Sequence, residues 1–190
     1  MTDLLELREV SVCYGQRLAL EAVSVSIPHG GQVAVVRPNG AGKSSLLQLI
    51  AGDIRISKGQ VTFGGRSLAQ WSPQERAQHM AVLPQMSLLN FPYTVDEVVM
   101  LGRIPHSSGH QADRNVVEQA LQLTDTLHLR HRLYTQLSVG EKQRTQLARV
   151  IAQVCGEASL AGSLLLLDEP TSSLDLAHQQ QVLRAIRELA

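Results

Sequence analysis

The chain has 190 residues, 44% of them hydrophobic, with 17 Lys plus Arg balancing 17 Asp plus Glu. That length and apolar content build one globular domain without staples. The balanced charge excludes a basic excess of the kind that holds nucleic-acid backbones or anionic membranes. Cys13 and Cys155 lie far apart without a CxxC spacing, so they read as reduced thiols rather than as a disulfide or a zinc site. Asp3, Glu6, Arg8 and Glu9 interrupt the N-terminal stretch, which argues against a secretory signal and predicts a chain retained in the cytoplasm. The apolar run Leu164 to Leu167 is far short of the ~20 residues that a spanning helix requires, so membrane contact is expected only through a partner.

Taken in chain order, Leu4 to Val12 and Leu20 to Ile27 alternate apolar and polar residues around the turn Tyr14-Gly15-Gln16, which predicts an antiparallel hairpin. Gln32 to Val36 is a short β-branched run, read as a strand that ends at Arg37-Pro38-Asn39-Gly40. Leu46, Leu47, Leu49 and Ile50 then supply a helical face. Gln60 to Phe63 and Met80 to Leu83 read as strands closed by Gly64-Gly65 and Pro84. From Pro92 to about Gln136 the pattern is helical, opened by a capping box at Thr94 and Glu97 and interrupted by a polar loop from Ile104 to Asp113. His106 and His110 fall in that loop and read as solvated rather than as a haem or metal site. Ser138 to Gln153 is one helix, Ser163 to Leu167 an apolar strand, and Asp175 caps a last helix. Strands alternating with helices imply an α/β fold with a parallel sheet.

Two segments carry chemistry. Arg37-Pro38-Asn39-Gly40-Ala41-Gly42-Lys43-Ser44, followed by Ser45, supplies nearly all that a phosphate-binding loop needs: glycines that admit an anion to backbone N–H groups, a lysine for the terminal phosphates, a hydroxyl for Mg²⁺ and a helix N-terminus behind them. A glycine-rich turn with a solvated Lys43 is the plainer alternative. Leu164 to Leu167 then delivers Asp168 and Glu169 at the carboxyl end of a strand, where open parallel sheets bind ligands. Paired with the loop, Asp168 is assigned to the magnesium shell, together with Ser44, and Glu169 to the water that attacks the γ-phosphate of ATP.

Between these segments stands Leu137-Ser138-Val139-Gly140-Glu141, and with it the chain resembles the ABC transporter ATPases, whose signature reads L-S-G-G-[QE]. The resemblance implies a P-loop NTPase core formed by 1–86 and 142–190, with 87–141 as a helical subdomain. It also implies a head-to-tail homodimer in which Ser138, Gly140 and Glu141 of one subunit meet the nucleotide of the other. Residue by residue, Tyr14 matches the aromatic that stacks on adenine, and Gln85 matches the glutamine that links the metal site to the helical subdomain. Ser173-Leu174-Asp175 matches the loop that crosses the dimer interface.

Thr94 to Val99 with Gly102-Arg103-Ile104-Pro105-His106 is similar to importers of iron chelates, cobalamin and haem. Leu174 to Gln179 and Gln146 to Gln153 are similar to the haemin-import ATPases among them. Two permease subunits, a periplasmic substrate-binding protein reached through them, and a place on the cytoplasmic face of the inner membrane are implied in turn; nucleic acid is not. A ferric siderophore or cobalamin is the alternative cargo.

Three departures stand against the pattern: Arg37 for the first loop glycine, Val139 for the first signature glycine, and an end at Ala190, before the family's further strand and switch histidine. Of the seven histidines only His178 follows the Asp168-Glu169 strand, and it comes too soon. A truncated chain, or a nucleotide-binding remnant with impaired hydrolysis, is therefore a second expectation. A soluble ABC ATPase of DNA repair or translation is a third, and it lacks support because neither a second such domain nor a long coiled-coil insertion is seen.

Overall fold

The computed structural model describes residues 3–36, 42–85, 89–155, 162–170 and 179–180. It divides into two compact units, Met1–Arg76 and Ala77–Ala190.

The first unit is organised by an antiparallel sheet of order β2-β1-β3-β4. Strand β1, Leu5–Tyr14, pairs on one side with β2, Arg17–Ile27, and on the other with β3, Lys58–Phe63; β4 is the two-residue Arg66–Ser67. The alternation predicted from sequence holds at Leu5, Leu7, Val10 and Val12, all buried, but it slips between Leu7 and Val10. Two residues there take positive φ, Glu9 at 47° and Ala22 at 44°. Neighbouring hydroxyls absorb the N–H groups that the slips release: Glu9 N donates to Ser24 Oγ at 2.9 Å and Ala22 N to Ser11 Oγ at 3.0 Å. Helix α1, Lys43–Ala51, leaves β2 behind and buries Leu49 and Ile50.

The predicted strand at Gln32 to Val36 is not formed: residues 31–36 have no regular structure, and Val33, Val35 and Val36 are exposed. A β-branched run becomes a strand only when a neighbouring backbone fills its ladder, and among the described residues none pairs with it.

The second unit contains the parallel pair β5, Met80–Leu83, and β6, Leu164–Leu167, in the register Met80↔Leu164 to Leu83↔Leu167. Helix α2, Pro73–His79, leads into β5. Three helices build the core of this unit: α3, Val95–Met100; α4, His110–Leu123; and α5, Val139–Val154. Val95, Val98 and Val99 of α3, Val117 and Leu121 of α4, and Leu147 and Ile151 of α5 are almost wholly removed from water. The capping box read at Thr94 is present: Thr94 Oγ1 accepts the Glu97 N–H, and Glu97 Oε2 accepts the Thr94 N–H at 2.7 Å.

The loop expected over Ile104 to Asp113 is shorter, because α4 begins at His110 after Gly109. Asp113 sits in the first turn, where a carboxylate favours the helix dipole, and it also binds Arg103. Arg103 is buried. Its guanidinium donates to Asp113 Oδ1 at 2.8 Å, to Ser108 Oγ at 3.0 Å and to the carbonyls of Ala152 and Cys155, both at 2.7 Å, so it closes the C-terminus of α5. His106, read as solvated, is half-buried, with Nε2 2.7 Å from the Gln153 carbonyl. Asp175 and the helix expected after it fall outside the described residues, apart from helical residues 179–180.

Candidate functional site

The end of the first unit to which the sequence assigns phosphate binding is the start of α1. Arg37, Pro38, Asn39, Gly40 and Ala41 lie outside the described residues; Gly42, Lys43, Ser44 and Ser45 do not. Gly42 is the N-cap at φ 85°, and a Cβ built on it would stand 2.8 Å from the Ala19 carbonyl oxygen, so this position requires glycine. The cap brings no side-chain hydrogen bond and the first turn holds no acidic residue, so the helix's own first turn leaves its positive dipole end uncompensated. Tyr14, at the end of β1, is about half exposed, and its hydroxyl donates to Gln48 Oε1 of α1 at 3.3 Å. That bond ties the aromatic candidate to the helix that carries Lys43 and Ser44.

In the second unit the carboxylates emerge where the sequence places them. Asp168 N donates to the Leu83 carbonyl at 2.9 Å, prolonging the parallel ladder by one step, and Glu169 follows in a left-handed conformation, φ 49°. A non-glycine residue there is strained and stays only if its surroundings hold it. Gln85, at the exit of the paired strand β5, donates through Nε2 to Glu169 Oε2 at 2.7 Å. Two residues named from sequence, 84 positions apart, thus meet at one strand edge.

The signature segment opens α5. Ser138 is the N-cap; its Oγ accepts the Glu141 N–H at 3.3 Å and its own N–H is accepted by Glu141 Oε2 at 2.7 Å. The backbone N–H and then the hydroxyl of Ser138 hold the Glu141 carboxyl below the usual glutamate range. Arg132 adds a bond to Glu141 Oε1 at 3.3 Å. Glu141 is therefore occupied in its own chain, taking both the backbone N–H and the hydroxyl of Ser138. Val139, the first residue of the helix, is 63% exposed, so its side chain meets no obstacle within the chain.

Sequence reasoning missed Gln143. One side of α5 brings its Nε2 to 2.5 Å from the carbonyl of Pro170, the residue after Glu169, while its Oε1 is buried without a hydrogen-bond partner among the described residues. No spacing rule connects these positions; the contact exists only because α5 lies beside the end of β6.

Among the described residues no group of three His, Cys, Asp or Glu is placed to hold a metal ion. In the second unit the Asp168 carboxylate and the Gln85 amide are oxygen donors of the kind that suits an ion which keeps several of its waters.

A profile of the ABC transporter family matches residues 20–172. The chain belongs to the ABC transporter family. Curated relatives of this ABC protein include the hemin import ATP-binding protein HmuV of Pseudomonas putida, 48% identical over 98% of the chain and 72% of the relative. The protein of that name from Gloeobacter violaceus is 47% identical over 98% of the chain and 69% of the relative. Among solved structures, a metal-chelate type ABC transporter in an inward-facing conformation matches with a TM-score of 0.80 at 33% identity, covering 100% of this chain and 68% of the other. A nucleotide-free ATP-binding cassette from an ABC transporter, 20% identical, matches with a TM-score of 0.82 over 99% of this chain and 77% of the other, and supports the fold.

Proposed function

We propose that this chain is the ATP-binding and ATP-hydrolysing subunit of an ABC importer whose cargo is haemin. The observation that carries the catalytic reading is the Glu169 carboxylate, delivered at the carboxyl edge of the parallel pair and gripped there by Gln85. Support for the cargo comes from the relatives, named for hemin import at 47–48% identity along nearly the whole chain.

In this reading Tyr14 stacks on adenine, and residues 37–45 wrap the phosphates with Lys43 as their cation. Ser44, Asp168 and Gln85 would hold Mg²⁺, which when bound would neutralise charge developing on the phosphate oxygens. Glu169 orients the attacking water and accepts its proton. The O–H of Ser138 and the N–H of Gly140 reach the γ-phosphate held by a second copy, so two chains close head to tail around two nucleotides. Glu141 acts through Ser138, whose box it completes. No helix of the described residues is long and apolar enough to cross a membrane, and cargo passage is assigned to two permease subunits fed by a periplasmic binding protein, with this chain on their cytoplasmic face.

The test is uptake into vesicles that hold the chain with its permease partners. Haemin uptake that needs ATP and stops with Glu169→Gln supports the proposal. Uptake of a ferric siderophore or cobalamin instead moves the cargo, and uptake unaffected by Glu169→Gln removes the catalytic role.

A further inference from the structure

Glu169 is held from two directions. Gln85 grips its carboxylate, and Gln143 grips the backbone immediately after it, at the Pro170 carbonyl. The left-handed φ of 49° makes Glu169 dependent on such restraint, because a residue in that region relaxes once its surroundings stop holding it.

Gln143 also stands on α5 less than two turns beyond Ser138, the cap of the same helix. Between them the helix is continuous, and its N-terminus is closed by the reciprocal Ser138 and Glu141 bonds. Ser138 and Gln143 thus belong to one capped segment of α5.

The chemistry of the Gln143 amide argues against a purely packing role. Only one end is used; the Oε1 is buried and unmatched among the described residues, and such an acceptor weakens a fold that an isosteric apolar side chain would serve better.

We infer that Gln143 is a positioning residue that ties the register of the signature helix to the turn that aims Glu169. This rests on the reading of Ser138 as a γ-phosphate contact and Glu169 as the base. In a head-to-tail dimer those two residues of one chain serve different nucleotides, so the Gln143 contact links the two sites inside a single polypeptide. Engagement of Ser138 at one nucleotide fixes the Glu169 turn at the other, and a glutamine amide on the Pro170 carbonyl is the joint.

The experiment compares the full chain with Gln143→Met, Gln143→Glu and Glu169→Gln, following steady-state Mg²⁺-ATP hydrolysis over a range of ATP and thermal melting in parallel. Gln143→Met removes both the donor and the orphan acceptor at nearly constant volume. It is expected to melt at or above the unaltered chain, to lose about tenfold or more in kcat and to keep KM within about twofold. Gln143→Glu, which keeps the shape but loses the donor, is expected to lose kcat likewise.

A Gln143→Met chain with unchanged kcat, beside a Glu169→Gln chain that has lost it, overturns the inference and leaves the hydrolysis reading standing. A Gln143→Met chain that melts lower and loses activity only in step with folded protein also overturns it, since the amide is then a strut. Absence of turnover in the unaltered chain, or turnover that survives Glu169→Gln, overturns the hydrolysis reading and the inference together.

Discussion

Gly102 shows how a single atom sets the approach of two segments. A Cβ there would lie 2.3 Å from the Arg149 carbonyl of α5, so the segment after α3 meets α5 backbone to backbone. Gly102→Ala is expected to destabilise the chain by about 1–3 kcal/mol, the cost of overpacking a site that cannot yield; denaturant unfolding checks this. Lys43→Ala is expected to weaken ATP binding with little change in melting, because in the proposal the lysine serves the phosphates rather than the core; titration calorimetry separates the two effects.

At this scale the candidate residues were legible wherever they lie close in sequence. The Ser138 to Glu141 box needs only a spacing of three, and the structure makes both of its bonds. Gln85 and Glu169 were named separately, from a resemblance and from a strand end, and their contact depended on β5 and β6 pairing in parallel. Gln143 was invisible, because its partner is a carbonyl 27 positions away whose place follows from packing.

Among elements, the two capped helices make a controlled comparison. Thr94 and Ser138 both open capping boxes, so alanine at either is expected to cost about 1 kcal/mol of stability. Only Ser138→Ala is expected to remove turnover as well, since only that cap faces a nucleotide in the proposal; melting and phosphate release, measured together, decide it.

The cap carboxylates also set an acid limit. Thr94 N–H holds Glu97 below its usual value, Ser138 N–H does so for Glu141, and the Ser72 hydroxyl, with its N–H and Arg66, takes Glu75 from 4.5 to about 2. Carboxylates depressed in the folded state contribute stability that is fully present above their unfolded values and is lost as pH falls through the folded ones. Stability is therefore expected to decline below about pH 4.5 and on towards about 2. Glu75→Gln, Glu97→Gln and Glu141→Gln combined are expected to flatten that limb in denaturant titrations.

Strands whose partners are supplied by the chain's own alternation, β1, β2 and β3, or by fully apolar runs, β5 and β6, were read with errors of a few residues at their ends. Gln32 to Val36 failed because β-branched composition reports the side chains' fitness for a sheet and not the presence of a neighbour. The early start of α4 was hidden by polar residues, which suit a loop and an exposed first helical turn equally well.

For the whole molecule, the family profile over residues 20–172 and the relatives at 47–48% identity agree with the α/β class read from alternating strands and helices. The sequence divides a nucleotide core from a helical subdomain at 87–141, and we retain that division as a proposal beside the two compact units, Met1–Arg76 and Ala77–Ala190. Val139 stands exposed at the start of the signature helix, so in the proposed dimer its cost falls on the facing subunit; Val139→Gly is expected to raise ATP-dependent dimerisation, read by light scattering.

Single-turnover phosphate release from ATP and Mg²⁺, measured beside ATP binding for the unaltered chain and Glu169→Gln, tests whether Glu169 drives hydrolysis. Both chains are expected to bind ATP, and release from Glu169→Gln is expected to be slower by about a hundredfold or more. Release at the same rate from both chains, or no ATP binding by either, would contradict the proposal.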